Sequence, residues 1–281
     1  MNLRDKVVLL TGASSGIGRD AALSFAKRGA VVMAVARREP LLRTVVDACR
    51  ADSPRSDSLC GDLATREFAE RAVAETRRRL GRVDVLVNNA GMPLHKQIYH
   101  TSAEDAQRVM DVNFMSCVWT TFAAIPAMLE QGGGAIVNVS SFAALVTPPR
   151  ETLYSASKAA MDAFTAGLWN DLDGSNIHVG LVRPGAIDTE IWDKQAEPVA
   201  FRGRKAPARI VTDAILEVIE RGAREITVPR RDPGLLSARL LRRFAPGLLL
   251  AGMRRFDPVP ASVLDAARER SRRGRRLGEL E

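Results

Sequence analysis

Short, mostly β-branched apolar runs alternate with helically spaced apolar residues from residue 6 to residue 229, and that alternation restricts the fold more than any other feature. The runs are "KVVLL" (6–10), "AVVMAVA" (30–36), "DSLCGD" (57–62), "VDVLVNNA" (83–90), "GAIVNVS" (134–140), "IHVGLV" (177–182) and "EITVP" (225–229). Between them the spacing predicts helices near 17–26, 40–50, 64–80, 102–128, 151–172 and 207–222. A strand followed by a helix and then another strand is joined by a crossover, so the strands should be parallel. Their continuous apolar character predicts a sheet covered on both faces, the doubly wound α/β class.

The other bulk properties bound function only loosely. Residues 1–200 hold 22 Lys and Arg against 23 Asp and Glu, while the remaining 81 residues hold 19 against 10. The net charge of +8 therefore sits in the C-terminal part and says little about what the sheet binds. An aromatic content of 5% disfavours a stacking platform for single-stranded nucleic acid. Cys49, Cys60 and Cys117 have no metal-type spacing and read as reduced, buried thiols, and the three histidines show no ligand spacing either, so no metal is expected. The first strand begins almost at once, which leaves no room for a signal peptide, and no apolar stretch looks long enough to span a bilayer. A cytoplasmic protein is the expectation.

"TGASSGIG" (11–18) lies between the first strand and the first helix, the position at which main-chain N–H groups and a positive helix end can hold a diphosphate. No Lys-Ser/Thr pair follows Gly18, so a nucleoside triphosphate loop is disfavoured and a dinucleotide is preferred. At the end of the second strand a carboxylate would suit a free ribose 2′-OH, and arginine a 2′-phosphate. Arg37 and Arg38 stand there, which favours NADP(H), with NAD(H) as the alternative.

"YSASK" places Tyr154 and Lys158 four apart, on one face of a helix. An ammonium about 4 Å from a phenol can supply the roughly 3–4 kcal/mol needed to bring a tyrosine of pKa ~10 toward neutrality. Ser141 ends the fifth run, thirteen residues before Tyr154, and that spacing favours it over Ser140 as a partner for a substrate oxygen. At this point the chain resembles the short-chain dehydrogenase/reductase family over residues 5–229. The resemblance rests on "TGASSGIG", "GDL" (61–63), "NNAG" (88–91), "VN" with Asn113, "SS" with Ser141, "YSASK" and "RPGAIDT" (183–189), in the family's order.

The resemblance implies a Rossmann-like fold and a set of roles. Tyr154 would be the acid/base, Ser141 would orient the substrate oxygen, Lys158 would lower the tyrosine pKa and bind nicotinamide ribose, and Asn113 would kink its helix and hold a water. Gly12, Ser14, Ser15, Gly16, Ile17 and Gly18 would cradle the cofactor. Arg37 and Arg38 would select it, Asp62 and Leu63 would meet the adenine, and Asn89, Ala90 and Gly91 would pack beside the adenosine ribose. Pro184, Gly185, Ile187 and Thr189 would seat the nicotinamide, with Trp192 in a lid spanning 189–206. The implied activity is interconversion of a ketone or aldehyde with the corresponding alcohol, a secondary one for a ketone, on a small to medium, hydrophobic substrate. A homodimer or homotetramer is implied, packed through the helices bearing Asn113 and Tyr154. A catalytically idle, cofactor-binding scaffold is the rival reading.

The alternation stops near Asp232, so residues 1–229 read as the catalytic domain and 230–281 as a basic extension. On a helix Leu236, Leu240, Leu241 and Phe244 form an apolar face, with Arg239, Arg242 and Arg243 opposite. Packing on its own domain, covering a hydrophobic substrate channel, contact with a membrane surface through 235–256, and a subunit contact remain four open readings. Nothing beside the arginine-rich tail reads bases, so nucleic acid is not an expected partner.

Overall fold

The computed structural model describes residues 1–194, 203–256 and 261–272. Its first half is β1 (Val7–Thr11), α1 (Gly16–Ala26), β2 (Val31–Ala36), α2 (Glu39–Arg50), β3 (Asp57–Cys60), α3 (Arg66–Leu80) and β4 (Val85–Asn88). The second half runs through α4 (Ala103–Met110), α5 (Ser116–Glu130), β5 (Gly134–Val139), the short α6 (Ala143–Val146), α7 (Thr152–Asp171) and β6 (Ile177–Pro184). A small two-stranded ladder, β7 (Ile187–Asp188) and β8 (Ala206–Pro207), precedes α8 (Arg209–Arg221) and β9 (Glu225–Val228). Helices α9 (Pro233–Phe244), α10 (Pro246–Phe256) and α11 (Ala261–Arg272) follow.

Seven strands form one parallel sheet in the order β3-β2-β1-β4-β5-β6-β9, a Rossmann-like arrangement. Successive side chains point to opposite faces. Val8 and Leu10 accordingly join Phe25, Val45 and Ile215 in a core under α1, α2 and α8, while Val7 and Leu9 join Phe68, Met128 and Leu168 under α3, α5 and α7. The strand order reverses between β1 and β4, which opens a crevice at the carboxyl ends of the strands.

A buried polar layer ties β4 and β5 to the helices above them. Asn88 donates to Asn138 at 2.9 Å and accepts from Thr120 at 2.7 Å, and Asn138 donates to Thr165 at 2.9 Å. Each of these side chains is almost completely buried, so the mutual hydrogen bonds offset their desolvation.

The helix expected over 102–128 is interrupted by a π-helical turn, Asp111–Met115, at Asn113, where the resemblance implied a kink, because one extra residue is accommodated where Asn113 turns inward. Two other expectations are corrected. The run Ala103–Glu130 is long and apolar enough to cross a bilayer, contrary to the sequence reading, and more than half of its apolar window is buried in the fold. Cys60 is exposed, since β3 is an edge strand and Cys60 ends it, whereas Cys49 and Cys117 are buried.

On α9 the predicted apolar face is turned the other way. Leu235, Ala238 and Leu241 pack inward on Phe142 and Val146, and Leu236, Leu240 and Phe244 are exposed. The leucine doublets at 235–236 and 240–241 give the helix two apolar stripes, and the stripe that meets α6 and Gly185 is the one buried. Arg242, expected on the polar face, reaches back to donate to the Leu145 carbonyl.

Candidate active site

The turn after β1 is built for a close-approaching ligand. Gly12 and Gly16 have φ of +68° and +53°, the left-handed region that favours glycine. A Cβ on Gly18 would stand 2.1 Å from the Gly12 carbonyl oxygen, so only glycine lets α1 approach the turn. Ser15 precedes α1 in extended conformation with no side-chain cap, and the first turn of α1 contains no acidic residue. Its leading N–H groups and the positive end of its dipole are thus left to an anion.

Asn89 braces the turn from beneath. Its side-chain amide donates to the Thr11 and Gly12 carbonyls at 3.0 and 3.3 Å, and the Thr11 hydroxyl accepts from the Asn89 and Ala90 N–H groups at 2.9 and 3.0 Å. Arg38 covers the turn from above, donating to Ser15 at 2.6 Å and to Ser14 at 3.3 Å. Its other guanidinium nitrogen meets the Glu190 carboxylate at 2.7 Å. Arg37 is exposed, and its charge acts on Asp62.

A cavity of about 540 Å³ extends from this turn across the carboxyl ends of the strands. Gly12, Ser15, Gly16, Ile17, Gly18, Asn89 and Gly91 line it together with Ser141, Tyr154, Lys158, Pro184, Gly185, Ile187 and Thr189, Gly16 lying against Thr189 and Gly91 near Lys158 Nζ. Ser14, Arg37, Arg38, Asp62, Leu63, Ala90 and Asn113 lie outside that lining. Asp62 is held by Arg108 at 2.7 Å and by the Ala64 N–H at 3.1 Å, and these contacts outweigh partial burial and keep its carboxyl below the usual range. The Leu63 side chain packs in the core.

Asn113 spends its side chain on positioning. Its Oδ1 accepts from the Met92 N–H at 2.7 Å, and its Nδ2 donates to the Met92 carbonyl and to Ser157 Oγ, each at 3.0 Å. Ser157 in turn donates to the Tyr154 carbonyl at 2.7 Å, so the π turn, the strand-end loop at 92 and α7 are clamped together. Lys158 Nζ donates to the Val139 carbonyl at 2.9 Å. Both serines line the cavity, but Ser140 is buried and donates to the Lys158 carbonyl at 3.2 Å, whereas Ser141 accepts from the Ala143 N–H at 3.1 Å and is the serine that acts on Tyr154.

The electrostatics differ from the sequence expectation. Burial pushes the Tyr154 hydroxyl up to about 12, the Ser141 hydrogen bond pulling down and the Glu151 charge pushing up. Burial pushes Lys158 down to about 8, against the nearby Cys117 and Asp162. Burial of the phenol outweighs the Ser141 contribution, so the depression expected from the i, i+4 spacing is absent.

Several lining residues were not singled out from the sequence. His95 is 4% exposed, with Nδ1 3.8 Å from Glu151. Phe142, Val146, Leu235, Ala238 and Met253 make an apolar wall, two helices of the C-terminal extension supplying the last three. Only their apolar pattern signalled them. Trp192 also lines the cavity, anchored by its indole N–H to the Ile187 carbonyl at 2.6 Å, with Lys205 4.4 Å from the ring centre. Residues 195–202 of the expected lid, and the tail from 273, lie outside the described residues.

Comparison with known proteins accords with this geometry. A family described as short chain dehydrogenase matches residues 6–200. An uncharacterized oxidoreductase of Thermotoga maritima is 41% identical over 190 residues, 68% of this chain and 75% of that one. Three further curated relatives are covered over 54–62% of their length. Among solved structures, a short chain dehydrogenase/reductase from Burkholderia phymatum in complex with NAD superposes with a TM-score of 0.80 at 27% identity, covering 88% of this chain and 96% of that one. A short-chain dehydrogenase from Sphingobium yanoikuyae in complex with NADPH gives 0.74 at 27% identity over 98% of both chains.

Proposed function

The chain belongs to the short chain dehydrogenase family, and from that premise we propose an NADP(H)-dependent oxidoreductase that interconverts a ketone or aldehyde with the corresponding alcohol. The observation that carries the reading is a single cavity that joins the uncapped N-terminus of α1 to Ser141, Tyr154 and Lys158. The glycine turn fits a dinucleotide, since Gly12 takes a φ of +68° and Gly18 packs on the Gly12 carbonyl, which brings the uncapped N-terminus of α1 to the cavity. Arg38, with Ser14 and Ser15, would hold a ribose 2′-phosphate, which supports NADP(H) over NAD(H).

When bound, the nicotinamide supplies or takes up the hydride. Tyr154 donates or accepts the accompanying proton at the substrate oxygen, and Ser141 orients that oxygen. Arg38 beside Ser14 and Ser15 favours NADP(H), and that preference supports carbonyl reduction as the working direction. Burial holds the lining ammonium of Lys158 down to about 8, so it exchanges its proton nearer neutrality than an ordinary lysine. The wall of Phe142, Val146, Leu235, Ala238 and Met253 excludes water and suits a small to medium, hydrophobic substrate. Exposed Phe122 on α5, stacked edge-on against Phe164 of α7, supports self-association through these helices.

The test is a paired fluorescence titration with NADPH and NADH, followed by NADPH oxidation with a series of hydrophobic ketones. Tighter NADPH binding and ketone-dependent oxidation are expected. Preference for NADH would overturn the cofactor assignment, and binding without turnover of any carbonyl would overturn the activity.

A further inference from the structure

The C-terminal helices have two finished faces with different jobs. Leu235, Ala238 and Met253 close the cavity on the inside. On the outside Leu236, Leu240 and Phe244 of α9 are 50–72% exposed, and on α10 the exposed Leu248 and Leu250 flank the buried Leu249 on either side. Leu236, Leu240 and Phe244 follow one another at i, i+4 and i+8, so they form a continuous ridge along the helix. Arg239 and Arg243 run beside that ridge at the same interval, and Arg254 and Arg255 end α10. From Pro233 to Phe256 there is no Asp or Glu.

We propose that this outer face docks on an anionic lipid surface. The charge pattern decides the occupant. A second copy meeting the face across a two-fold axis would bring arginine against arginine with no carboxylate on α9 or α10 to pair with, whereas lipid phosphates supply the missing charge and the acyl boundary takes the leucines and Phe244. Neither helix is long enough to span a bilayer, so the association is peripheral. Because the same two helices wall the cavity, a docked molecule holds its apolar cavity wall next to the bilayer. With the oxidoreductase reading, on which this last step rests, the substrate class is a carbonyl or alcohol dissolved in the membrane.

Co-sedimentation of the full-length protein with phosphatidylcholine vesicles, with and without phosphatidylglycerol, tests the docking without reference to activity. Pelleting is expected only with the anionic lipid, weakening as salt is raised. The double variant Arg239→Glu/Arg243→Glu should lower the partition coefficient at least five-fold per charge, on the order expected for arginines at a charged surface. The triple variant Leu240→Ser/Phe244→Ser/Leu248→Ser should abolish pelleting while NADPH binding and oxidation in solution are retained, showing that the fold and the cavity are intact. Equal pelleting of both variants with the wild type, or none with anionic vesicles, overturns the proposal. A fall in solution mass of the triple variant by light scattering would assign the face to a second copy and overturn it too. Loss of ketone turnover in every form, with pelleting unchanged, would refute the oxidoreductase reading and leave the docking standing.

Discussion

Arg38 and Glu190 clasp across the mouth of the glycine turn, with Nη1 2.7 Å from the carboxylate, while the same guanidinium reaches Ser15 at 2.6 Å. The residue that would hold a 2′-phosphate is thus shared with a carboxylate 152 positions away. Hydrogen bonds from Lys194 first, and from Arg38, hold Glu190 down to about 2, so the clasp does not titrate near neutral pH. Glu190→Gln should release Arg38 and tighten NADPH up to about five-fold, the scale of a half-exposed ion pair, with NADH little changed. Arg38→Ala should weaken NADPH at least ten-fold on the same titration and leave NADH nearly unaffected, because a charge-assisted contact to phosphate is lost. Parallel changes for the two cofactors would show that the clasp has no part in selection.

Tyr154→Phe keeps the ring and removes the proton. Turnover should fall at least about a thousand-fold, in the range of a lost general acid, while NADPH affinity stays within a factor of two. Single-turnover absorbance at the nicotinamide band measures the first and fluorescence titration the second. Residual activity above a few per cent would assign the proton to another group.

Lys158 gives a pH signature with a definite sign. Its folded value near 8 is below the ordinary 10.5, so between these values the unfolded chain binds more protons and stability from this group rises with pH. Below about 8 the group is charged in both states and its burial cost is constant. The melting temperature of the wild type relative to Lys158→Met should therefore climb from about pH 8 to about 10.5 and stay level below 8. A difference independent of pH would mean that the buried ammonium is not destabilised.

Gly18→Ala places a methyl 2.1 Å from the Gly12 carbonyl oxygen, and both groups are main-chain anchored. A loss of at least about 3 kcal/mol of stability is expected, with NADPH binding gone before global unfolding. Denaturant midpoints and binding measured on the same samples would separate the two effects.

Leu235→Trp should narrow the apolar end of the cavity, since Leu235 both lines it and packs within contact of Gly185. KM for bulky ketones should rise at least five-fold with little change for the smallest, read from steady-state kinetics across a size series. A uniform effect would indicate disturbance of the cofactor end instead.

The strands, their parallel pairing and the glycine turn were legible in the chain because each depends on residues near one another in sequence. Gly12, Gly16 and Gly18 announce a turn, and "YSASK" announces a helix face. What could not be read was long-range. The Arg38 to Glu190 clasp, the ion pair of Asp62 with Arg108, and the grip of Asn113 on Met92 join segments whose approach only the folded sheet decides. The rotation of α9 was ambiguous for another reason, since its doubled leucines satisfy helical periodicity on either of two stripes. The depression expected at Tyr154 failed because spacing fixes only which face a charge lies on. The depth of burial determines where the phenol itself titrates.

The junction of β1 with β4, where the crevice opens, also has a kinetic meaning. The Val7 N–H bonds to Asp84, 77 residues on, a wider span than separates any other neighbouring pair of strands in the sheet. Closing so large a loop is entropically late, after the β1–β2 and β2–β3 units have been synthesised and can already pair. The seat for the dinucleotide therefore comes into being only when the two halves of the sheet have met. A nascent or misassembled chain that lacks this pairing has no seat to offer, so ligand capture reports that assembly of the sheet's centre is complete.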